Sequence, residues 1–316
     1  MSDAAVNAPS ASAPTAHELT RQRTLARLKA LACVIIWGAS FVTTKIIVEQ
    51  MDPLVLVPVR TSAGALLLWL LLRRRGEWTG FARGRLLSAL ALLGFVGVAL
   101  HLTIQAVGLS LTSATNTGWL VSLTPIFIAL LAWRFLGERF GPLQSAGFAI
   151  AMSGALLIVI AQAGGRDIFG LPSTLGDGLA FSSAITWAVF SVLSKRVIGQ
   201  RHPAALMIQV MALGCLMTLP LFIAREGWNE LALLDARGWL ALAFTVLLVS
   251  SLAYLFWYDA LAALNASQVG VFLYIEPLVT VLLAALLLAE PLRPLALLGG
   301  AAILSGVWLV TQSGQR

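Results

Sequence analysis

Charge is what this chain has least of. Acidic and basic residues fill only 11% of its 316 positions, where a soluble domain carries about 25%. That leaves too little polar surface to cover a globule in water, so a soluble fold is excluded. Histidine is scarcer still, with His17, His101 and His202 the whole complement. There is no Asp-x-x-Asp pair and no Gly-x-x-x-x-Gly-Lys loop. A membrane-embedded metal enzyme needs clustered histidines or paired aspartates, and a nucleotide-driven pump needs the phosphate-binding loop. The expectation is therefore no enzyme, no cofactor and no metal. Cysteine is limited to Cys33 and Cys215. Both sit inside apolar runs, which speaks against a disulfide framework.

What the chain has instead is grease. Its residues are 59% hydrophobic and the mean hydropathy is +0.89. Apolar runs recur at close to the roughly 20 residues that a bilayer-crossing helix requires. Their punctuation marks ten candidate helices: 28–48, 54–72, 86–107, 113–133, 143–162, 175–197, 204–224, 238–261, 268–289 and 294–312. The fold class expected is an all-α polytopic membrane protein. Residues 1–25, rich in Ala, Ser and Pro, are too polar to span anything and read as a disordered tail. They lack the early apolar core of a secretory signal.

The net charge of +7 could point to nucleic acid, but the basic residues sort by side of the membrane. With a cytoplasmic N-terminus, the inside segments hold Arg21, Arg23, Arg27, Lys29, Arg73, Arg74, Arg75, Arg83, Arg85, Arg134, Arg139, Lys195, Arg196, Arg201 and Arg316. The outside loops hold Arg166, Arg225, Arg237 and Arg293. This bias predicts that both termini are cytoplasmic. The partners expected are the lipid bilayer and a small molecule, not nucleic acid; oligomeric state stays open.

Scarce residues also repeat. At an offset of 150, Trp37 matches Trp187, Lys45 matches Lys195 and Pro53 matches Pro203. At 152, Gly118 matches Gly270, Pro125 matches Pro277, Glu138 matches Glu290, Pro142 matches Pro294, Gly147 matches Gly299 and Gly154 matches Gly306. Two copies of five helices, 28–162 and 175–312, follow. Because five is odd, the copies enter the bilayer from opposite sides, the inverted repeat of many secondary transporters with a site near the midplane.

These stretches carry a resemblance: "WGASFVTTK" in the first helix, "TPIFIALLAWRFLGERFGP" across the fourth and fifth, and "EPLVTVLLAALLLAEPLRP" across the ninth and tenth. Together they resemble the drug/metabolite transporter superfamily, and within it the ten-helix EamA-type exporters, over residues 28–312. The resemblance implies an inner-membrane carrier that exports small metabolites by alternating access. The aromatic-rich helices are similar to those of bacterial aromatic amino acid exporters, so amino acids are the first expected cargo. Multidrug, aromatic-cation or nucleobase export on the same fold is the alternative, and a channel is the more distant one.

Candidate site residues follow from polarity inside apolar stretches. Glu276, before Pro277, can bind an amino group, take up a proton, or serve the backbone freed by the proline. Arg60 can meet a carboxylate or snorkel outward; Lys45 and Lys195, near helix ends, are expected to snorkel. His101 and Gln105 are four apart and share a face, as polar cavity lining or as satisfied packing. Asn116 and Trp119, and Tyr254, Trp257 and Tyr258, show one-sided spacing, while Asp259 reads as a surface contact. Trp37 and Trp187 lie deep in their helices, so helix packing and an aromatic cavity wall both remain open.

Overall fold

The computed structural model describes residues 16–78, 80–112, 114–163, 174–199, 202–288 and 294–313. Within them, regular structure is helical throughout. Proline sets several starts, since its missing N–H costs nothing in a first helical turn. It opens α2 (Pro53–Arg74), α7 (Pro142–Ala163), α9 (Pro203–Ala224) and α15 (Pro294–Ser313). Asp52 completes the α2 entry by accepting a 2.8 Å bond from the Leu54 amide.

Among the described residues, six stretches are long and apolar enough to cross a membrane: Glu18–Val48, Pro53–Arg74, Gly84–Leu111, Leu175–Ile198, Pro203–Ala224 and Ala236–Ala263. Shorter apolar helices run over Thr124–Leu136, Pro142–Leu157 and Leu297–Gln312. Their outer faces are apolar too, with Leu286 79% and Leu240 74% exposed. A water-facing surface rarely carries so many large exposed aliphatics.

Several elements depart from the sequence expectation. The first helix, α1 (Ala16–Val48), begins inside the expected disordered tail, because the segment after Pro14 is rich in helix-forming Leu, Ala, Arg and Glu. The span expected at 113–133 breaks into α5 (Ala114–Val121) and α6 (Thr124–Leu136), just before Pro125, which has no N–H to give the Val121 carbonyl; the Thr124 hydroxyl donates to that carbonyl at 2.6 Å. The span expected at 268–289 likewise divides into α13 (Ala266–Gly270), a 3₁₀ turn (Val271–Tyr274) and α14 (Ile275–Leu288), just ahead of Pro277. Two longer spans contain π-helix. Phe95–Leu100 joins α3 (Gly84–Gly94) to α4 (His101–Leu111), and Thr245–Ala253 joins α11 (Ala236–Phe244) to α12 (Tyr254–Ala263). A short α10 (Gly227–Leu231) lies in a connection that reads as loop.

The boundaries recur at the sequence offsets. α2 and α9 start 150 residues apart and end 150 apart, and the two π segments also start 150 apart. α6 and α14 end 152 apart, and α7 and α15 start 152 apart. Between α7 and α15 the backbones nearly touch at small residues. A Cβ on Gly147 would sit 2.8 Å from the Gly306 carbonyl, and one on Gly154 would sit 2.5 Å from that of Gly299. Close backbone approach through glycine is the usual means of joining helices in a bilayer, where apolar side chains gain nothing by leaving lipid.

Candidate functional site

A narrow cavity takes side chains from α1, α2, α4 and α8 (Leu175–Ile198), and from α12 and α14. Helical spacing aims the residues. Trp37 and Phe41 are four apart on α1, His101 and Gln105 on α4, and Ser183 and Trp187 on α8, so each pair presents one face. All six line the cavity, together with Arg60, Tyr254 and Glu276.

The aromatic wall is continuous. The Trp37 and Trp187 rings meet edge to face at 4.9 Å. Tyr254 lies 5.4 Å from Trp37 and 5.8 Å from Trp187, and His101 lies 4.9 Å from Trp187. These are separations at which aromatic pairs attract beyond simple contact. The Trp37 indole N–H lies 3.5 Å from the Val249 carbonyl, within the second π segment.

Polar groups fill the remaining positions. His101 is buried, and its Nδ1 is 3.0 Å from the Ser183 carbonyl and 3.2 Å from Thr186 Oγ1. A carbonyl only accepts, so Nδ1 carries a proton. Arg60 is only 6% exposed and donates from Nε to Ser250 Oγ at 2.9 Å. Glu276 is also 6% exposed. The ion pairs among the described residues involve Lys29, Lys45, His202 and Arg225, so neither Arg60 nor Glu276 is in one. Pro277 leaves the Leu273 carbonyl without its helical donor. That carbonyl lies in the 3₁₀ turn, where the Ile275 amide faces it.

Seven of the ten residues singled out in the sequence thus share one cavity: Trp37, Arg60, His101, Gln105, Trp187, Tyr254 and Glu276. Tyr258 does not reach it. It is fully buried, with its hydroxyl 3.1 Å from Ser194 Oγ, outside the lining. Asn116 and Trp119 belong to α5, but their side chains lie outside those described. Sequence reasoning missed Ser40, Thr124 and Ser183. Hydroxyls are cheap in apolar helices, and only the one-face spacing of Ser183 with Trp187 could have flagged one of them.

The charged residues expected to snorkel have more definite tasks. Lys45 donates to the Leu109 carbonyl at 3.3 Å, near the C-terminus of α4. Lys195 donates to the Leu261 and Leu264 carbonyls at 2.5 and 2.6 Å, at the end of α12. Helix C-termini carry unpaired carbonyls and partial negative charge, which an ammonium satisfies. Glu138 does the converse, accepting from the Ala266 amide at 2.7 Å and the Ser267 amide at 3.2 Å at the start of α13. Asp259, expected at the surface, pairs with Lys29 of α1.

Comparison with known proteins decides the family. The EamA-like transporter family model matches residues 24–160 and again 174–312. The chain belongs to this family. Among its relatives is an uncharacterised transporter of Archaeoglobus fulgidus, 29% identical over 88% of this chain and 94% of the relative. A probable terminal-alkyne amino-acid exporter of Streptantibioticus cattleyicolor is 30% identical over 73% and 75% of the two chains. A probable amino-acid metabolite efflux pump of Escherichia coli is 25% identical over 89% and 92%. A solved crystal structure superposes with a TM-score of 0.75 at 18% identity, covering 93% of this chain and 99% of the other, which establishes a shared fold. Apolar helices and transporter relatives together make this a multi-pass membrane protein.

Proposed function

We propose that this EamA-family protein is a secondary carrier, not an enzyme, that exports small amino-acid-type metabolites across the inner membrane. In this reading the cavity is the passage, reached alternately from the two sides. Trp37, Arg60, His101, Gln105, Trp187, Tyr254 and Glu276 contact cargo there, with Asn116 and Trp119 as further candidates from the sequence. The observation that carries the reading is the cavity itself: a buried guanidinium and a buried carboxyl group, neither in an ion pair, beside an aromatic wall. Two relatives bear amino-acid exporter names, which supports the same cargo class. Aromatic amino acids fit the wall best.

The carrier mechanism rests on two inverted copies, residues 28–162 and 175–312, of five spans each after the tail at 1–25. Three sets of contacts, exchanged between the copies or repeated in each, support this. The repeat partners of Gly147 and Gly154 are Gly299 and Gly306, yet Gly147 meets Gly306 and Gly154 meets Gly299. Such an exchange is what a two-fold relation between copies produces. Lys45 and Lys195 bond carbonyls, Leu109 and Leu261, that are themselves 152 residues apart. Trp37 and Trp187 touch each other. With both termini cytoplasmic, as the basic residues imply, the cavity lies near the midplane, where inverted-repeat carriers bind their cargo.

An efflux screen in cells expressing the chain, loaded with amino acids, aromatic cations or nucleobases, tests the cargo class. Faster loss of amino acids than from control cells is the expected result. Selective loss of nucleobases or aromatic cations would overturn it.

A further inference from the structure

We propose that Arg60 is the residue that selects cargo by its carboxylate. The inference deepens the carrier reading and rests on it. A guanidinium offers five N–H donors in a planar fork, and here Ser250 engages only Nε. The side chain is 6% exposed and lines the cavity, not the lipid or the aqueous surface. Among the described residues no carboxylate pairs with it. A buried guanidinium within a membrane needs a counter-ion, and the fork of Nη1 and Nη2 matches the two oxygens of a carboxylate.

The geometry around Arg60 favours a visiting anion over a resident one. Glu276 is the one carboxylate among the residues lining the cavity, yet it stands unpaired. Had these two formed an ion pair, each would already be satisfied by the other and would have no need of a charged cargo. Instead each keeps its charge-binding capacity, and a zwitterion satisfies both at once. The Ser250 bond holds the guanidinium through Nε, the nitrogen that a bidentate contact through Nη1 and Nη2 does not use. Ser250 belongs to the π segment at Thr245–Ala253, a distortion that often accompanies functional sites. Arg60 has no repeat counterpart, since position 210 is Val; the recognition is therefore one-sided although the fold is built from similar halves.

The test uses three probes of one skeleton. L-phenylalanine carries both charges, 3-phenylpropionate only the carboxylate, and phenethylamine only the ammonium. Each competes for uptake into proteoliposomes holding the full-length protein or its Arg60→Gln or Arg60→Lys variant. Arg60→Gln is expected to weaken phenylalanine and 3-phenylpropionate by about ten- to hundredfold, the worth of hydrogen bonds to a charged group, with phenethylamine within about twofold. Arg60→Lys, which keeps the charge but loses the fork, is expected to fall between. Equal weakening of all three probes, or of none, would overturn the assignment. Should Arg60→Gln fail to fold, Arg60→Lys decides alone: selective loss of the two carboxylates supports the proposal, and uniform or absent loss refutes it. If the unmodified protein moves none of the probes, the amino-acid reading fails separately. Arg60 is then judged on the cargo found by efflux: an anion sensitive to Arg60→Lys upholds it, and a neutral, purely cationic or insensitive cargo sinks it.

Discussion

At the scale of single residues, the acid before the proline is the most informative group. The carbonyl that Pro277 frees already faces the Ile275 amide, so the backbone does not depend on Glu276 for a donor there. The acid's place in the cavity wall favours contact with cargo or protons. Glu276→Gln keeps the shape and a donor but cannot ionise. It is expected to fold normally and still exchange cargo, more weakly for lack of a charged partner to the ammonium, while losing flux driven by an imposed pH gradient; pH-driven flux at the normal rate would remove the acid from coupling. Trp257 behaves differently. It is fully buried, lies 5.2 Å from Trp37 and 5.7 Å from Trp187, and does not line the cavity. Trp257→Ala should cost roughly 3–5 kcal/mol of stability, read as a lower thermal midpoint in detergent. An unchanged midpoint would mean the wall closes over the gap.

Most of the cavity was legible at this scale because a charge or an indole in a membrane helix is costly or rare, and so conspicuous. The lysines were harder to read. Spacing shows that Lys45 and Lys195 lie near helix ends but not that a neighbouring helix ends beside them, and it is the neighbour's carbonyls that they bond. Tyr258 shares a spacing pattern with Tyr254, yet Ser194 of α8 takes its hydroxyl. A partner on another helix cannot be found by periodicity along one.

Among elements, apolar length and proline made the helices visible, while their irregularities stayed hidden. Nothing in "FVGVAL" or "TVLLVSSLA" announces a π-helix, because the extra residue per turn is set by packing: at Gly97, a Cβ would meet the Phe190 ring at 2.1 Å. The α7–α15 contact makes a sharp expectation. A side chain at Gly154 has no space, so Gly154→Leu should abolish folded protein, assayed as the monodisperse fraction after extraction. On α5, Gly118→Ala should be tolerated, since among the described residues nothing lies within 4 Å of its Cβ position, whereas its repeat partner Gly270 packs on Ile128 at 3.1 Å. A folded Gly154→Leu protein would show that this helix pair is not the close joint it looks to be.

For the whole molecule, the two halves share boundaries but not surroundings. The Gly270 end is packed and the Gly118 end is open, the kind of inequality that lets one sequence pattern hold two arrangements around a site. Orientation comes from charge alone. Single cysteines introduced at Arg75 and Arg237 should be, respectively, protected from and reactive to an impermeant thiol reagent in intact cells, on a background lacking Cys33 and Cys215. Rapid labelling at position 75 would invert the topology.

The central claim is that the chain carries cargo by exposing one cavity to each side in turn, and counterflow tests it most directly. Proteoliposomes are preloaded with unlabelled phenylalanine, or with whichever cargo the efflux screen identifies, and diluted into a trace of the labelled compound. A carrier should accumulate label transiently above equilibrium, because unlabelled cargo leaving returns the empty site to the outside. Label that only equilibrates, at a rate indifferent to what is inside, would contradict alternating access and point to a channel.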